Sequence, residues 1–137
     1  MTARDVGRLG IVIVAHGGLA REYLAAVEHV VGEQPGIRAI TILPEEDRGA
    51  KQSEICAAAD AVDVGNGVVI VTDMFGGSPS NLSLRACRCA DRQIMYGANL
   101  PMLIKLAKSR HKPIGDAVEA AIEAAHKYIN AQVVAPA

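Results

Sequence analysis

The chain has no tryptophan, a single phenylalanine and three tyrosines in 137 residues. A sequence so poor in aromatics offers no stacking wall for nucleobases or a flavin ring. Its 14 lysines and arginines are balanced by 15 aspartates and glutamates. With no basic block among them, the positive footprint that neutralises a phosphate backbone is missing, and no nucleic-acid partner is expected. Long apolar runs are lacking as well. The stretch MTARDVGRLGIVIVA holds one too short to span a bilayer and without the small-residue cleavage pattern of a signal peptide, so the expected location is cytoplasmic. The three cysteines, Cys56, Cys87 and Cys89, are an odd set with no second pair or nearby histidine to complete a zinc site. They are expected to be reduced, half-buried thiols on helices, and neither a metal nor a cofactor is expected.

What the chain does have is aliphatic mass: half of its residues are hydrophobic, mostly Ala, Val, Ile and Leu. That composition suits well-covered parallel strands and alanine-rich helices. The length fits one domain, residues 1–137, with a core over about 9–130. LGIVIVA (9–15) reads as a first strand and LAREYLAAVEHVVG as a helix ended by Gly32. IRAITIL (37–43) follows as a strand, and a more polar helix lies beyond Pro44. GVVIVTD (67–73) reads as a fully buried third strand. SPSNLSLRACRCA opens a helix with Ser78 as N-cap and Pro79 at the first helical position. QIMYGANL holds a short fourth strand, Pro101 starts a helix to about Lys108, and IGDAVEAAIEAAHKYINA is a strongly periodic last helix. KSRHK, before it, reads as a basic surface patch.

Strands alternating with helices give an α/β fold with a single doubly wound, mainly parallel sheet and helices on both faces. Right-handed crossovers then require the strand order to reverse once, and the common solution for a short chain is 2-1-3-4. The ligand crevice of such a sheet opens between the carboxyl ends of strands one and three. Two loops border it, AHGG and TDMFGGSP, so His16 and Asp73 are expected to converge there. A strand-end histidine can be a metal ligand, a general base or a phosphorylated nucleophile. An aspartate beside it can hold one ring N–H and leave the other nitrogen to react. Gly76 and Gly77 allow close backbone approach, and the amides around Ser78 offer an anion site.

Taken singly, each of these features has an ordinary structural explanation, and the functional case rests on their convergence. Other chemistries fit less well. A receiver domain needs an acidic pair after its first strand to hold Mg²⁺, but the loop reads AHGG. A histidine phosphatase carries arginine directly before its histidine, where this chain has Ala15. Neither G-x-G-x-x-G nor G-x-S-x-G occurs at the relevant loops.

IVIVAHGG, TDMFGGSPSN and GANLPML, in that order and spacing, resemble the IIA component of the mannose-class sugar phosphotransferase system. The resemblance covers roughly the first four-fifths of the chain. It implies that His16 accepts a phosphoryl group from the phosphocarrier HPr and passes it to a IIB component. It also implies that Asp73 is the acidic partner of that histidine, and that Gly76, Gly77 and Ser78 form the phosphoryl-binding loop. Gly17 and Asn99 fall in the matching motifs as further site-loop residues. The family forms homodimers in which a C-terminal strand crosses to the other subunit's sheet, and QVVAPA is the candidate for that antiparallel edge strand. Peripheral association with membrane permease components is a further implication. Two outputs stay open: sugar transport, or regulation in which the phosphorylation state of His16 controls binding to a target.

Overall fold

The computed structural model describes residues 7–88 and 91–136; Cys89 lies outside them. Four strands, β1 (Gly10–His16), β2 (Ile37–Ile42), β3 (Val68–Thr72) and β4 (Arg92–Met95), form one sheet in the order β2-β1-β3-β4. Every pairing is parallel. Helices α1 (Leu19–Val31), α2 (Arg48–Val62), α3 (Ser78–Ser83), α4 (Leu100–Lys108) and α5 (Ile114–Lys127) complete it. The doubly wound α/β architecture and the single order reversal expected from the sequence are both present.

Alternation along the central strands divides the core. Ile11, Ile13, Ala15, Val69 and Val71 pack against α1, α4 and α5 on one face. Val12, Val14, Val68 and Ile70 meet Ile55, Ala59 and Val62 of α2 and Leu82 of α3 on the other. Both sides of β1 and β3 are thus covered, which is why their sequences read as continuous apolar runs. Each fully buried Val or Ile contributes about 1.5–3 kcal/mol of burial. On α5 the buried residues are Ala117, Ala121 and Ala125, an i, i+4 row whose small side chains let the helix lie close.

Several boundaries differ from the sequence expectation. The N-cap of α3 is Gly77, not Ser78: Gly77 is extended, and its carbonyl accepts the first helical bond from Asn81 N–H at 3.0 Å. Ser78 is therefore the first helical residue and Pro79 the second, a position that equally needs no N–H. The helix is also short, continuing only as a 3-10 segment over Leu84–Arg88. Serine and asparagine favour local side-chain bonds over helix propagation, and the Ser83 hydroxyl donates to the Pro79 carbonyl one turn back at 2.5 Å.

KSRHK is not merely a solvated patch, because Arg110 is only 4% exposed. Its Nε donates to the Leu9 carbonyl at 2.8 Å and its Nη1 to the Pro35 carbonyl at 2.7 Å, tying the α4–α5 turn to the starts of β1 and β2. The tail over 130–136 forms no strand within the chain, and Val133 and Val134 are exposed. The antiparallel edge strand expected from QVVAPA is thus not part of this sheet: the tail's backbone meets no strand edge of its own chain. Among the described residues, no helix is long and apolar enough to cross a membrane.

Candidate functional site

Because all four strands run parallel, their carboxyl ends lie at one end of the sheet, and the reversal of order opens the space between β1 and β3 there. His16 is the last residue of β1, and its side chain is 47% exposed. Asp73 follows β3 directly, and its side chain is only 9% exposed. They are 57 positions apart in sequence, yet His16 Nδ1 lies 2.8 Å from Asp73 Oδ2. The main-chain N–H of His16 donates to the same oxygen at 3.1 Å. One oxygen of the Asp73 carboxylate thus holds both backbone and ring of the histidine; the convergence of the two side chains was expected from the sequence, the backbone bond was not. Asp73 Oδ1 is buried without a hydrogen-bond partner among the described residues. Such an acceptor costs about 1–3 kcal/mol, and under-satisfied groups of this kind concentrate where chemistry is done.

With Nδ1 engaged by Asp73, a neutral ring carries its proton there and keeps the Nε2 lone pair free. Gly77 lies against that side of the ring: a Cβ built on it would stand 3.2 Å from His16 Cε1 and 3.6 Å from Nε2. Glycine at 77 therefore leaves space beside the reactive edge. Gly17 and Gly76 act differently. Both have positive φ, at +55° and +81°, the left-handed region in which a side chain is strained.

Asn99 is placed by the structure in a supporting role. Its Oδ1 accepts from Met102 N–H at 2.9 Å, capping α4, and its Nδ2 donates to the Ala125 carbonyl at 2.9 Å, fastening α4 to α5. Both ends of the amide are thereby committed away from His16. Asn followed two positions later by Pro101 is itself a helix-start signature, and this accounts for the GANLPML motif locally. The same loop is fixed to the site's floor, because Ala98 N–H donates to the Thr72 carbonyl at 3.0 Å and Tyr23 Oη donates to the Ala98 carbonyl at 3.2 Å.

Two features were not foreseen. Leu19, Leu43, Met74 and Phe75, from the segments bordering the β1, β2 and β3 ends, are large and exposed, Phe75 at 77%. Phe75 stands edge-on to Tyr96, with ring centroids 4.9 Å apart. Beside them, Arg48 and Lys51 at the start of α2 reach a cleft that Ser78 also lines. Lys51 is held charged, above the usual lysine range, by hydrogen bonds to the Glu46 and Glu54 carboxylates, each 2.7 Å away. Nothing in the residue order ties the β2–α2 loop to the loop after β3; only the sheet order does.

The fold is shared with a solved structure. The mannose/sorbose-specific IIA subunit from Enterococcus faecalis superposes with a TM-score of 0.82 at 20% identity, covering 95% of this chain and 98% of that one. The family model EIIA-man, described as "PTS system fructose IIA component", matches residues 10–125. The chain belongs to the mannose-class IIA components of the phosphotransferase system. Among curated relatives, the sorbose-specific EIIA component of Lacticaseibacillus casei is 31% identical over 100 residues, spanning 71% of this chain and 70% of the relative. The mannose-specific EIIAB component of Escherichia coli K12 is 28% identical over 131 residues, spanning 93% of this chain. The match covers 41% of that relative's length.

Proposed function

We propose that the protein is a phosphocarrier: His16 accepts a phosphoryl group from phospho-HPr at Nε2 and passes it to a IIB component. The observation that carries this reading is the 2.8 Å contact between His16 Nδ1 and Asp73 Oδ2 on a histidine whose other edge is open. In the accepting step the Nε2 lone pair forms the new P–N bond as the P–N bond to the donor's histidine breaks. The proton on Nδ1 stays in place, held by Asp73, and the carboxylate stabilises the positive charge that grows on the ring. The passing step is the same displacement in reverse toward a different acceptor. No water and no metal take part in either.

Gly76, Gly77 and Ser78 are the phosphoryl-binding loop of this reading. Because α3 is only six residues long, its macrodipole adds little. The binding rests on individual amides and the Ser78 hydroxyl, at about 1.5–3 kcal/mol for each hydrogen bond to a charged group. Residues 1–137 act as one IIA domain, working as a homodimer in the cytoplasm beside membrane permease components. A tail with Val133 and Val134 exposed is consistent with an edge strand supplied to a second subunit.

Incubation with phosphoenolpyruvate, Enzyme I and HPr tests the reading. The expected product is an acid-labile, base-stable phosphoramidate on His16. Full labelling of His16→Ala would overturn the assignment.

A further inference from the structure

The α2 N-terminus is capped by the Asp47 carboxylate, which accepts from Ala50 N–H at 3.1 Å. Arg48 is the first helical residue, a place where a cation gains nothing from the helix dipole. Its neighbour Lys51 is fully committed, closed between Glu46 and Glu54 at 2.7 Å each. The other oxygen of Glu46 accepts from Leu43 N–H at 3.1 Å. The Arg48 side chain has no ion-pair or hydrogen-bond partner among the described residues. It lines a cleft of about 170 Å³ together with Ile42, Leu43, Glu46, Lys51 and Ser78.

The cleft adjoins the histidine. Ile42 is the register partner of His16, and its carbonyl accepts from Gly17 N–H at 2.9 Å. Ser78 follows Gly77, which faces the imidazole. The charged residues on the cleft wall are Glu46, Lys51 and Arg48; Lys51 is shared between Glu46 and Glu54 and Asp47 is engaged as the helix cap, so Arg48 is the wall's cation without a paired carboxylate. A guanidinium on a long flexible stem, lining a cleft that reaches the loop beside His16, suits a doubly charged phosphoryl group.

Resting on the phosphohistidine reading above, we propose that Arg48 is a phosphoryl-binding residue that closes across the Ser78 cleft onto the non-bridging oxygens of the phosphoryl group on His16. Arg48 then stabilises the phosphorylated state itself. A cation that only docked an acidic partner would alter the rate of exchange and leave its equilibrium unchanged.

The test is the equilibrium ratio of phosphorylated protein to phospho-HPr, reached from both directions with the full chain. In Arg48→Ala the ratio is expected to fall about three- to fivefold, the range of an exposed charge pair. Arg48→Lys is expected to restore most of it. In the wild type, added salt reduces the ratio toward the Arg48→Ala value, whereas the variant's ratio responds less. An unchanged equilibrium in Arg48→Ala, with only the exchange rate altered, overturns the proposal and assigns Arg48 to docking. A wild-type protein that takes no label overturns the phosphocarrier reading first, so the two failures are distinct.

Discussion

The two ends of the sheet use the same residue for opposite reasons. At the amino ends of the strands, glycine is required by contact. A Cβ on Gly10 would run into the Val62 carbonyl, one on Gly36 would stand 2.5 Å from Arg110 Nη2, and one on Gly67 would stand 2.6 Å from the Asp91 carbonyl. At the carboxyl ends, a Cβ on Gly17, Gly18 or Gly76 would meet nothing within 4 Å. The first end is braced by packing and by two arginines, around a cleft of about 290 Å³ lined by Arg8, Gly36, Val62 and Arg110. Arg110 was described above; Arg92, with a side chain 5% exposed, donates to the Ala86 carbonyl and to Asp60 and Asp63. The second end carries the histidine, the exposed Phe75 and a smaller cleft of its own. Rigidity at one end lets the other stay open without losing its aim, since His16 is held by a strand that is buried from Gly10 to Ala15.

Substitutions can break this contrast, beginning with the most severe. His16→Ala is expected to abolish phosphoryl labelling while leaving the thermal midpoint within a few degrees of wild type, as measured by acid-lability assay and calorimetry. Asp73→Asn is expected to slow transfer roughly ten- to a hundredfold, the usual cost of losing a residue that orients a reactive histidine. Rapid-quench transfer from phospho-HPr measures it, and an unchanged rate removes Asp73 from the mechanism.

Glycine substitutions read the contrast directly. Gly10→Ala is expected to cost about 1–3 kcal/mol through overpacking against Val62, whereas Gly18→Ala stays within about 0.5 kcal/mol; urea titration of the pair decides. Equal losses at both positions would erase the distinction drawn here. Gly77→Ala is intermediate: stability is nearly kept, and phosphorylation slows because the new methyl presses on the imidazole.

The smallest effect concerns alkaline pH. Burial pushes the Cys87 thiol above its ordinary range, so the folded state holds its proton to higher pH than the unfolded chain does. Stability from this group is therefore full below the ordinary thiol pKa and declines as pH rises through the raised one. Cys87→Ala is expected to flatten that decline in denaturation curves measured from neutral to alkaline pH.

Strand order, helix positions and the His16–Asp73 pairing were legible because each depends on local pattern plus one topological rule. Residues 11–16 are apolar up to the histidine, residues 67–73 are apolar up to the aspartate, and right-handed crossovers bring the two ends together. Where local chemistry offered two answers, the sequence was ambiguous. Ser78 and Gly77 are both acceptable caps before Pro79, and only the Asn81 bond selects Gly77. Asn99 belongs to a motif near the site, yet its amide serves α4 and α5. Arg110 sits in a run of charges that reads as surface, and its burial depends on the carbonyls of Leu9 and Pro35, 101 and 75 positions away respectively, of which the residue order carries no sign. Arg48 was invisible for the same reason, since its relation to Ser78 exists only across the sheet.

The position of Gly77 against one side of the imidazole has a consequence for traffic. With Asp73 at one nitrogen and backbone along an edge of the ring, on the phosphocarrier reading Nε2 has a single door. Donor and acceptor must use it in turn, so each competes with the other for the same vacancy, and an excess of either unphosphorylated partner slows the whole relay.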